Sequence, residues 1–518
     1  IQIKLNEMRL ERPREWGACW LALEMWNFLG LDNFWSKHLT PSRKGTNWLN
    51  VLKTLVTYRW ISAGSEWRLH RQWFKSSAMA DLLGEDDSIA LDDTLYRCLD
   101  LLHAPKKDLF SFLSERWKTL FNISYDVLLY DLTSTYFEAD SKDNERLKKF
   151  GYSRDKRSDC VQVVIALIVT KEGFPVAYEV MPGNTQDRTT LPEFLKKIET
   201  VYGKLNRLWI MDRGIPTEES LKKMREHNAD YLVGTPRGKL SKLEKQLLKE
   251  PWKKVQENVK VKLIREEKEL YILTFSNGRR DKERSMRQRR LRNLYERLKE
   301  LKELKEMKKI TRDELLMKLG TARKEAGRIW NIIDIRIPMK NEKISGDTFT
   351  FKINREKLRE QQFKEGTYLL RTNLQDGEPE ELWQRYILLT EIEQAFKELK
   401  SDLHLRPVYH QLDNRIEAHI FVSFLAYCLQ ITLKQQAKQH APGITPRAIL
   451  EKFKTMQMID VHLPTTDGRE LILPRYTYPE KDIALLLYKL KLKLPNQPPP
   501  KIQYQPNKCG ADLLPKTQ

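Results

Sequence analysis

The chain has 518 residues, of which 40% are hydrophobic and 31% charged. This length allows about two to four domains with large cores, and the composition excludes a disordered protein. Lys and Arg outnumber Asp and Glu by 92 to 71, a net charge of +21. Such an excess favours nucleic acid as the partner, with an acidic membrane surface second and a basic surface that only aids solubility as the alternative. Five scattered cysteines without a CxxC motif predict neither a disulfide framework nor a zinc site, and favour a reducing compartment.

Residues 1–120 are predicted to form a helical domain. In "NWLNVLKTLVTYRWISA" and "DDTLYRCLDLLH" the apolar residues recur at helical spacing. The mixture of Trp, Arg and His in "SEWRLHRQWFK" is compatible with a helical core and also with DNA contact. We interpret this region as an N-terminal DNA-binding domain.

From about residue 121 the pattern becomes that of a mixed sheet. "YDVLLYDLTSTYF" is a predicted strand, and "CVQVVIALIVT" and "GFPVAYEVM" form a predicted hairpin across "KEG". A helix "RTTLPEFLKKIETVYG", a strand "NRLWIMDRG", a helix "TEESLKKMREHN" and a strand "DYLVGTP" follow. The predicted order is therefore β-β-β-α-β-α-β.

Residues 236–365 have the composition of an insertion domain. Strands are predicted at "VKLIREE", "ELYILTFS", "IIDIRIP" and "DTFTFKIN". Between them lies a long basic helix, with 14 basic and 6 acidic residues from Arg279 to Lys309. Its charged side could be a solvated face or a DNA contact, and the sequence leaves both open.

The core composition returns with the strand "EGTYLLRTN" and the helix "LLTEIEQAFKELKSDL". "AHIFVSFLAYCLQITLKQQ" is predicted to be a buried core helix and not a membrane span, because His419, Ser423, Gln430 and Lys434 interrupt it. The C-terminal region, 441–518, ends in the Pro-rich "KLPNQPPPKIQYQPNK", which predicts an extended or disordered tail.

Two aspartates break the hydrophobic pattern of their strands. Asp131 lies in the middle of one strand and Asp212 at the end of another. If these strands are neighbours, the carboxylates converge and repel each other unless a cation lies between them. Mg²⁺ or Mn²⁺ fits such oxygen ligands, and a third carboxylate would complete a two-metal site for phosphoryl transfer. Glu391, Glu393 and Glu398 are candidates for the third, and spacing alone does not choose between them.

Four blocks in this order resemble a DDE transposase of a bacterial insertion sequence: "LLYDLTSTYFE", "GYSRDKRSDCVQVVIALIVTKEGFPVAYEVMPGNTQDRTTL", "IMDRG" and "IEQAFKELKSDLHLRPVYH" with "RIEAHIFVSFLAY". The likeness is to the insertion-sequence-four superfamily, in its sixteen-thirty-four-like branch. It implies an RNase H-like α/β core, a mixed sheet flanked by helices, over 121–235 and 366–440. The insertion domain over 236–365 would interrupt that core.

The resemblance also chooses among the glutamates. The family signature places Tyr seven residues before the catalytic Glu and Lys seven after, and only Glu393 has both, in Tyr386 and Lys400. Position 389, where the signature has Arg, is Leu, and Arg385 is a possible substitute. The implied catalytic and metal-binding residues are therefore Asp131, Asp212 and Glu393.

Several side chains are candidate DNA contacts near this site. Tyr386 and Lys400 follow from the signature, and the others lie beside Asp212, in "LRPVYH" or in the basic loop "GYSRDKR". Packing within the loop is the alternative for "LRPVYH". The candidates are Tyr386, Lys400, Arg213, Arg406, His410, Arg154, Lys156 and Arg157. Trp252 and Trp330 are candidates for an aromatic clamp on a flipped base, or for core residues.

The resemblance implies a cut-and-paste DNA transposase that uses two Mg²⁺ or Mn²⁺ ions, forms a DNA hairpin intermediate and acts as a homodimer in a synaptic complex. Its partner would be double-stranded DNA, at the element ends and in the target, and its location the bacterial cytoplasm, at the nucleoid. A nuclease on the same fold and an inactive DNA-binding relic are the alternatives, because fold does not decide function. A protein of the membrane surface is disfavoured by the four blocks.

Overall fold

The structure is a computed structural model. It describes residues 2–43, 45–102, 106–138, 146–187, 190–191, 195, 207–235, 251–266, 268–306, 311–340, 342 and 347–504. The chain forms two compact units, one made of Ile1–Trp209 and Leu388–Gln518 and the other of Ile210–Ile387. Each is described by itself below as unit 1 and unit 2. The division into an N-terminal domain, a core, an insertion and a C-terminal region stays a prediction.

Helices and strands alternate irregularly, as expected for a mixed α/β chain. The strands are β1 Arg9–Glu15, β2 Val127–Tyr136, β3 Gln162–Thr170, β4 Pro175–Pro182, β5 Leu208–Met211, β6 Asp230–Thr235, β7 Lys253–Gln256, β8 Val259–Glu266, β9 Glu269–Ser276, β10 Ile333–Arg336, β11 Thr350–Ile353, β12 Thr367–Thr372, β13 Gln457–Pro464, β14 Arg469–Tyr476 and β15 Lys501–Tyr504. The helices are α1 Gly17–Leu29, α2 Leu31–Trp35, α3 Trp48–Ile61, α4 Glu66–Arg68, α5 Phe74–Ser76, α6 Met79–Leu83, α7 Asp92–Leu101, α8 Lys106–Phe121, α9 Glu218–Glu226, α10 Asn277–Glu306, α11 Arg312–Ala326, α12 Arg355–Lys364, α13 Pro379–Ile387, α14 Leu389–Lys397, α15 Asp413–His440, α16 Pro446–Phe453 and α17 Lys481–Lys489.

The sheet of unit 1 has the strand order β4-β3-β2-β5. β2 and β4 both pair antiparallel with β3, so the predicted hairpin is confirmed. All residues of β3 are buried, as its continuous apolar run predicts for a strand covered on both faces. β5 begins beside β2, where the Leu208 N–H donates to the Asp126 carbonyl at 2.8 Å. The strand that carries Asp131 is therefore an inner strand of the sheet.

Helices cover this sheet. α14 packs against β2 and β3, and α8 packs against β4. α15 packs against α3 and is buried along most of its length. Within the described part of the chain it is the one helix apolar and long enough to cross a membrane, and its most apolar stretch is 94% buried. Such burial is that of a core helix, in agreement with the sequence-based prediction.

A second sheet in unit 1 was not predicted. Its strand order is β1-β13-β14-β15, with antiparallel pairing throughout. Residues 1–120 were predicted to be mostly helical, and β1 is a strand within this range that sequence analysis did not identify, because a partner from the other end of the chain stabilises it. The buried Arg14 guanidinium fixes the pairing through two hydrogen bonds to Asp460, of 2.9 and 3.2 Å. Lys501–Tyr504 is extended, as predicted for the Pro-rich region.

Unit 2 contains the end of β5 and the strand order β5-β6-β12-β9-β8-β7. The pairings of β12 with β6 and β9, and of β8 with β9 and β7, are antiparallel. The long basic helix is present as α10, and β10 pairs with β11, so these predicted elements are confirmed. Leu294, Leu298 and Leu301 of α10 are buried against Leu315 and Leu319 of α11. The helix predicted over "RTTLPEFLKKIETVYG" lies mostly outside the described residues.

Candidate active site

Asp131 lies in the middle of β2, between the buried Tyr130 and Leu132, and is itself half-buried. Its Cα is paired with that of Leu167 on β3. One carboxylate oxygen, Oδ1, accepts a hydrogen bond from the Leu132 backbone N–H at 2.8 Å. The strand thus holds an acidic side chain at a position where its neighbours are apolar, as the sequence predicted.

Glu393 lies on α14, the helix that packs against the Asp131 strand. Ile392, Ala395 and Phe396 are buried on the packed face, whereas Glu393 is exposed. The same helix therefore buries one face in the core and carries Glu393, exposed, at the margin of that face.

The two competing glutamates have other contacts. Glu398 is buried and accepts hydrogen bonds from the Gln394 amide at 2.9 Å and the Gln430 amide at 2.6 Å. Glu391 pairs with Lys434, with 3.2 Å between the Oε2 and Nζ atoms. Contacts of this kind explain Glu398 as a buried link between α14 and α15, and Glu391 as a partly exposed ion pair.

Lys400 lies in the π-helical turn Glu398–Asp402 that follows α14. Its Nζ is 2.9 Å from Oδ1 of Asp155, and Arg406 pairs with the same oxygen. Burial lowers the pKa of Lys400, and the neighbouring Asp155 carboxylate acts in the opposite direction. Asp155 belongs to the basic loop "GYSRDKR", so this loop is tied to two of the predicted DNA contacts. Sequence reasoning did not single out Asp155.

The cationic residues of this loop differ in whether their side chains already have partners. The Arg154 N–H donates to Oγ of Ser134 on β2 at 3.2 Å, and its guanidinium pairs with Asp187. Arg157 pairs with Asp159 at 2.9 Å. Lys156 is exposed, with a left-handed backbone at φ 62°. Among the loop cations in the described part of the chain, Lys156 is thus the one whose side chain has no hydrogen-bond or ion-pair partner, although its backbone N–H donates to the Ser153 carbonyl at 3.3 Å.

In unit 2, Asp212 is the first residue after β5 and is exposed. The Tyr386 hydroxyl donates a hydrogen bond to Oδ1 of Asp212 at 3.4 Å. Burial, and then the Asp212 charge, raise the pKa of Tyr386, so the phenol keeps its proton and remains a donor.

Gly234 on β6 makes room for this contact. A Cβ at position 234 would lie 2.8 Å from the Tyr386 hydroxyl oxygen and 3.0 Å from the Arg213 Cβ and backbone nitrogen. Only a residue without a side chain therefore lets Tyr386 and the segment after β5 approach β6 so closely. The Arg213 residue is exposed, and within the described residues its guanidinium has no hydrogen-bond or ion-pair partner.

The one departure from the family signature and the residue suggested to substitute for it can both be located. Leu389 is buried at the start of α14. Arg385 is half-buried near the end of α13. Of the aromatic candidates, Trp252 is 41% exposed with the Lys262 ammonium 4.8 Å from its ring centroid, whereas Trp330 packs against the α10–α11 core.

Sequence reasoning missed a buried cluster in unit 1 formed by Glu66, His410 and His419, whose ligand-type atoms lie within 4.8 Å of one another. The Arg59 guanidinium is 3.3 Å from Glu66 Oε1 and 3.3 Å from His419 Nδ1. Burial would raise the pKa of Glu66, but the hydrogen bond and charge of His410 and the charge of Arg59 outweigh burial and lower it. With one carboxylate, two imidazoles and a cation, this cluster does not fit Mg²⁺, which prefers oxygen ligands. His410, a predicted DNA contact, is 6% exposed here.

The predicted catalytic residues are thus distributed over both units. Unit 1 contains Asp131 on β2 and Glu393 on the helix packed against it, and unit 2 contains Asp212 with Tyr386. All three carboxylates offer oxygen atoms alone, the donor set that Mg²⁺ and Mn²⁺ prefer. The chemistry of the donors therefore fits the predicted ions.

Comparison with known proteins supplies one match. A family model described as a transposase DDE domain matches residues 123–429. The matched segment contains Asp131, Asp212 and Glu393 in that order. No curated protein matches the sequence.

Proposed function

This chain belongs to the family defined by the transposase DDE domain, and from that membership we propose a DNA transposase that cuts at the ends of a mobile element and joins them to target DNA. The observation that carries the proposal is the family match over residues 123–429. The two side chains of Asp131 and Glu393 support it, because they lie on a strand and a helix that pack together. The net charge of +21 suits a DNA substrate.

In the proposed site Asp131, Asp212 and Glu393 would hold two divalent metal ions, Mg²⁺ or Mn²⁺. Such ions, when bound, activate the attacking oxygen and stabilise the leaving oxygen of a phosphodiester. The Tyr386 hydroxyl orients the Asp212 carboxylate through its hydrogen bond. Since the tyrosine is a neutral donor, it fixes one carboxylate oxygen without removing the charge that a cation needs.

The proposed DNA contacts act on phosphates. Lys156 and Arg213 are exposed and available for the backbone near the cut. Lys400 and Arg406 pair with Asp155, so they bind phosphate in this proposal by exchanging that carboxylate for the DNA anion. Arg154 and Arg157 pair with Asp187 and Asp159, and they bind phosphate in this proposal by exchanging those carboxylates. His410 is buried beside Glu66 and His419, so it is the weakest of the proposed contacts.

The reaction proposed is cut-and-paste transposition. Water attacks at the element end and releases a 3′ hydroxyl, which attacks the opposite strand to form a hairpin before reopening and joining to target DNA. The insertion-sequence-four likeness, the sixteen-thirty-four-like branch, the synaptic homodimer and the bacterial cytoplasmic location are parts of the same proposal. Residues 1–120 are proposed to recognise the ends, 236–365 to be the insertion domain, and Trp252 to be the aromatic that receives a flipped base.

The test is cleavage of a labelled duplex that carries the end of the mobile element encoding this chain, in Mg²⁺. We expect the wild type to cleave, and Asp131→Ala, Asp212→Ala and Glu393→Ala to bind the duplex without cleaving it. Glu391→Ala is the matched control, since Glu391 lies on the same helix and pairs with Lys434. A wild type that binds but never cleaves in Mg²⁺ or Mn²⁺ overturns the proposal in favour of a binding relic. Cleavage without joining of a precut end to target DNA indicates a nuclease, and normal cleavage by Glu393→Ala shows that another glutamate acts.

A further inference from the structure

The basic charge of α10 is confined to one half of the helix. From Arg279 to Arg292 the sequence has eight basic and two acidic residues, a net charge of +6. Residues 293–306 have four of each and are neutral. The charged half is the N-terminal half.

This placement opposes the stability of the helix. The first turn of a helix carries a partial positive charge, so Arg279 and Arg280, which lie there, are unfavourably placed. Like charges three or four residues apart, such as Arg289 and Arg292, also repel each other. The concentration of cations in this half therefore does not stabilise the helix, and an interaction with an anionic partner would account for it.

The acidic residues of this half already have partners. Glu283 lies 3.2 Å from Arg279, and Asp281 lies 3.5 Å from Arg280. Arg287 is buried and pairs with Glu365. Five cations remain exposed, and within the described residues none has a hydrogen-bond or ion-pair partner. They are Lys282, Arg284, Arg289, Arg290 and Arg292.

The helical geometry places three of these cations on one side. At about 100° per residue, Lys282, Arg289 and Arg292 fall opposite the seam of buried leucines that holds α10 to α11. Arg292 lies ten residues after Lys282, a distance of about 15 Å along the helix at 1.5 Å per residue. This length is comparable with the ~12 Å width of the major groove of DNA, so the row can reach phosphates on both sides of a groove.

We infer that the N-terminal half of α10, which we name the basic half-helix (279–292), binds the phosphate backbone of double-stranded DNA without reading its sequence. The guanidinium groups suit phosphate oxygens because they donate two parallel hydrogen bonds. The choice of DNA as the polyanion rests on the proposed function. The row contains no acidic residue that would repel a phosphate, since Asp281 and Glu283 are paired.

The experiment compares two triple variants in the full chain. Lys282→Ala/Arg289→Ala/Arg292→Ala removes three cations from the basic half-helix, and Arg297→Ala/Lys299→Ala/Lys302→Ala removes three from the neutral half. Alanine favours helix, so both variants are expected to fold, and circular dichroism checks this. Binding to a labelled duplex of random sequence is measured over a range of salt concentrations.

For the basic half-helix variant, we expect the slope of log affinity against log salt to fall by about 3, and affinity at 0.1 M salt to fall by about 10-fold or more. The control is expected to change the slope by less than about 1. A basic half-helix variant with the wild-type slope and affinity overturns the inference, and is the result expected if the row binds an acidic protein instead.

The wild-type cleavage test separates this inference from the proposed function. If the wild type cleaves the element end but the variant binds duplex like the wild type, the inference fails and the function stands. If the wild type never cleaves but the variant loses duplex affinity, the function fails and the basic half-helix remains a DNA-binding surface.

Discussion

The Nζ atom of Lys400 lies 2.9 Å from Oδ1 of Asp155, and both side chains are at most 10% exposed. One residue follows the helix of Glu393 and the other lies in the basic loop that begins at Gly151. The ion pair therefore joins two segments that the sequence could only assign separately to DNA contact. Asp155 is thus the residue that links the basic loop to the segment after α14.

Replacing Asp155 by Asn should remove the ion pair that joins the basic loop to the segment after α14. The change leaves the buried Lys400 ammonium without its counter-charge, which costs about 3–5 kcal/mol of stability when one partner of a buried pair is removed. We expect a lower free energy of unfolding in denaturant titrations, together with weaker cleavage of the element end. Asp159→Asn is the control, because Asp159 is 64% exposed and pairs only at the surface with Arg157. Its expected effect on stability is much smaller, because solvent screens a surface pair. Equal stability of the two variants would show that the Lys400–Asp155 pair does not hold the loop.

Gly234→Ala should displace Tyr386 within unit 2. The new methyl group would lie 2.8 Å from the tyrosine hydroxyl oxygen, so the hydroxyl must move and its bond to Asp212 is lost. We expect a stability loss of about 1–3 kcal/mol, as for other overpacked sites, and reduced cleavage at saturating DNA. Gly320→Ala in α11 is the control, since nothing lies within 4 Å of its added Cβ. Alanine there should stabilise by about 1 kcal/mol and leave cleavage unchanged. Wild-type cleavage by Gly234→Ala would contradict the orienting role of Tyr386.

Because of the buried His419, we expect the folded protein to lose stability in mild acid. Burial and the nearby Arg59 charge lower the pKa of His419 well below its ordinary value, so the folded protein keeps this imidazole neutral. The unfolded chain takes up a proton below about pH 6.5, and the state that binds more protons gains as pH falls. Stability should therefore fall from about pH 6.5 downward, by up to about 1.4 kcal/mol per pH unit from this residue.

The measurement is the free energy of unfolding between pH 7.5 and about pH 5.5 for the wild type and His419→Gln. The variant should show a shallower pH dependence, whatever its absolute stability. His440→Gln, at the exposed end of α15, should keep the wild-type slope. His404, whose pKa is also lowered by burial and by Arg59, accounts for part of the dependence that remains. Parallel curves for His419→Gln and the wild type would contradict the prediction.

Local pattern was sufficient for the elements whose partners follow closely in sequence. β3 and β4 are separated by a short turn, and the uniform burial of β3 is visible as an unbroken apolar run. Asp131 was conspicuous for the same reason, because a carboxylate interrupts such a run. The buried leucines of α10, Leu294, Leu298 and Leu301, also recur at helical spacing, which the sequence shows directly.

Long-range contacts were not predictable in this way. β1 has an amphiphilic, charged sequence, and only its pairing with β13 makes it a strand. Glu66 and His410 are 344 residues apart, and no motif around either residue predicts their contact. The sequence around Glu398 is that of an ordinary exposed helix glutamate. The structure shows instead that Glu398 is buried and accepts hydrogen bonds from two amides, which gives it a structural role.

The pairing of β1 with β13 has a consequence for synthesis of the protein. Arg14 and Asp460 are 446 residues apart, so at 5–20 residues per second the first strand waits roughly 20 to 90 s on the ribosome for its partner. Unit 2 consists of one continuous segment, Ile210–Ile387, and can fold during that interval. Translation that stops before residue 457 leaves β1 with an open edge and Arg14 without Asp460, so unit 1 cannot be finished until β13 has been synthesised.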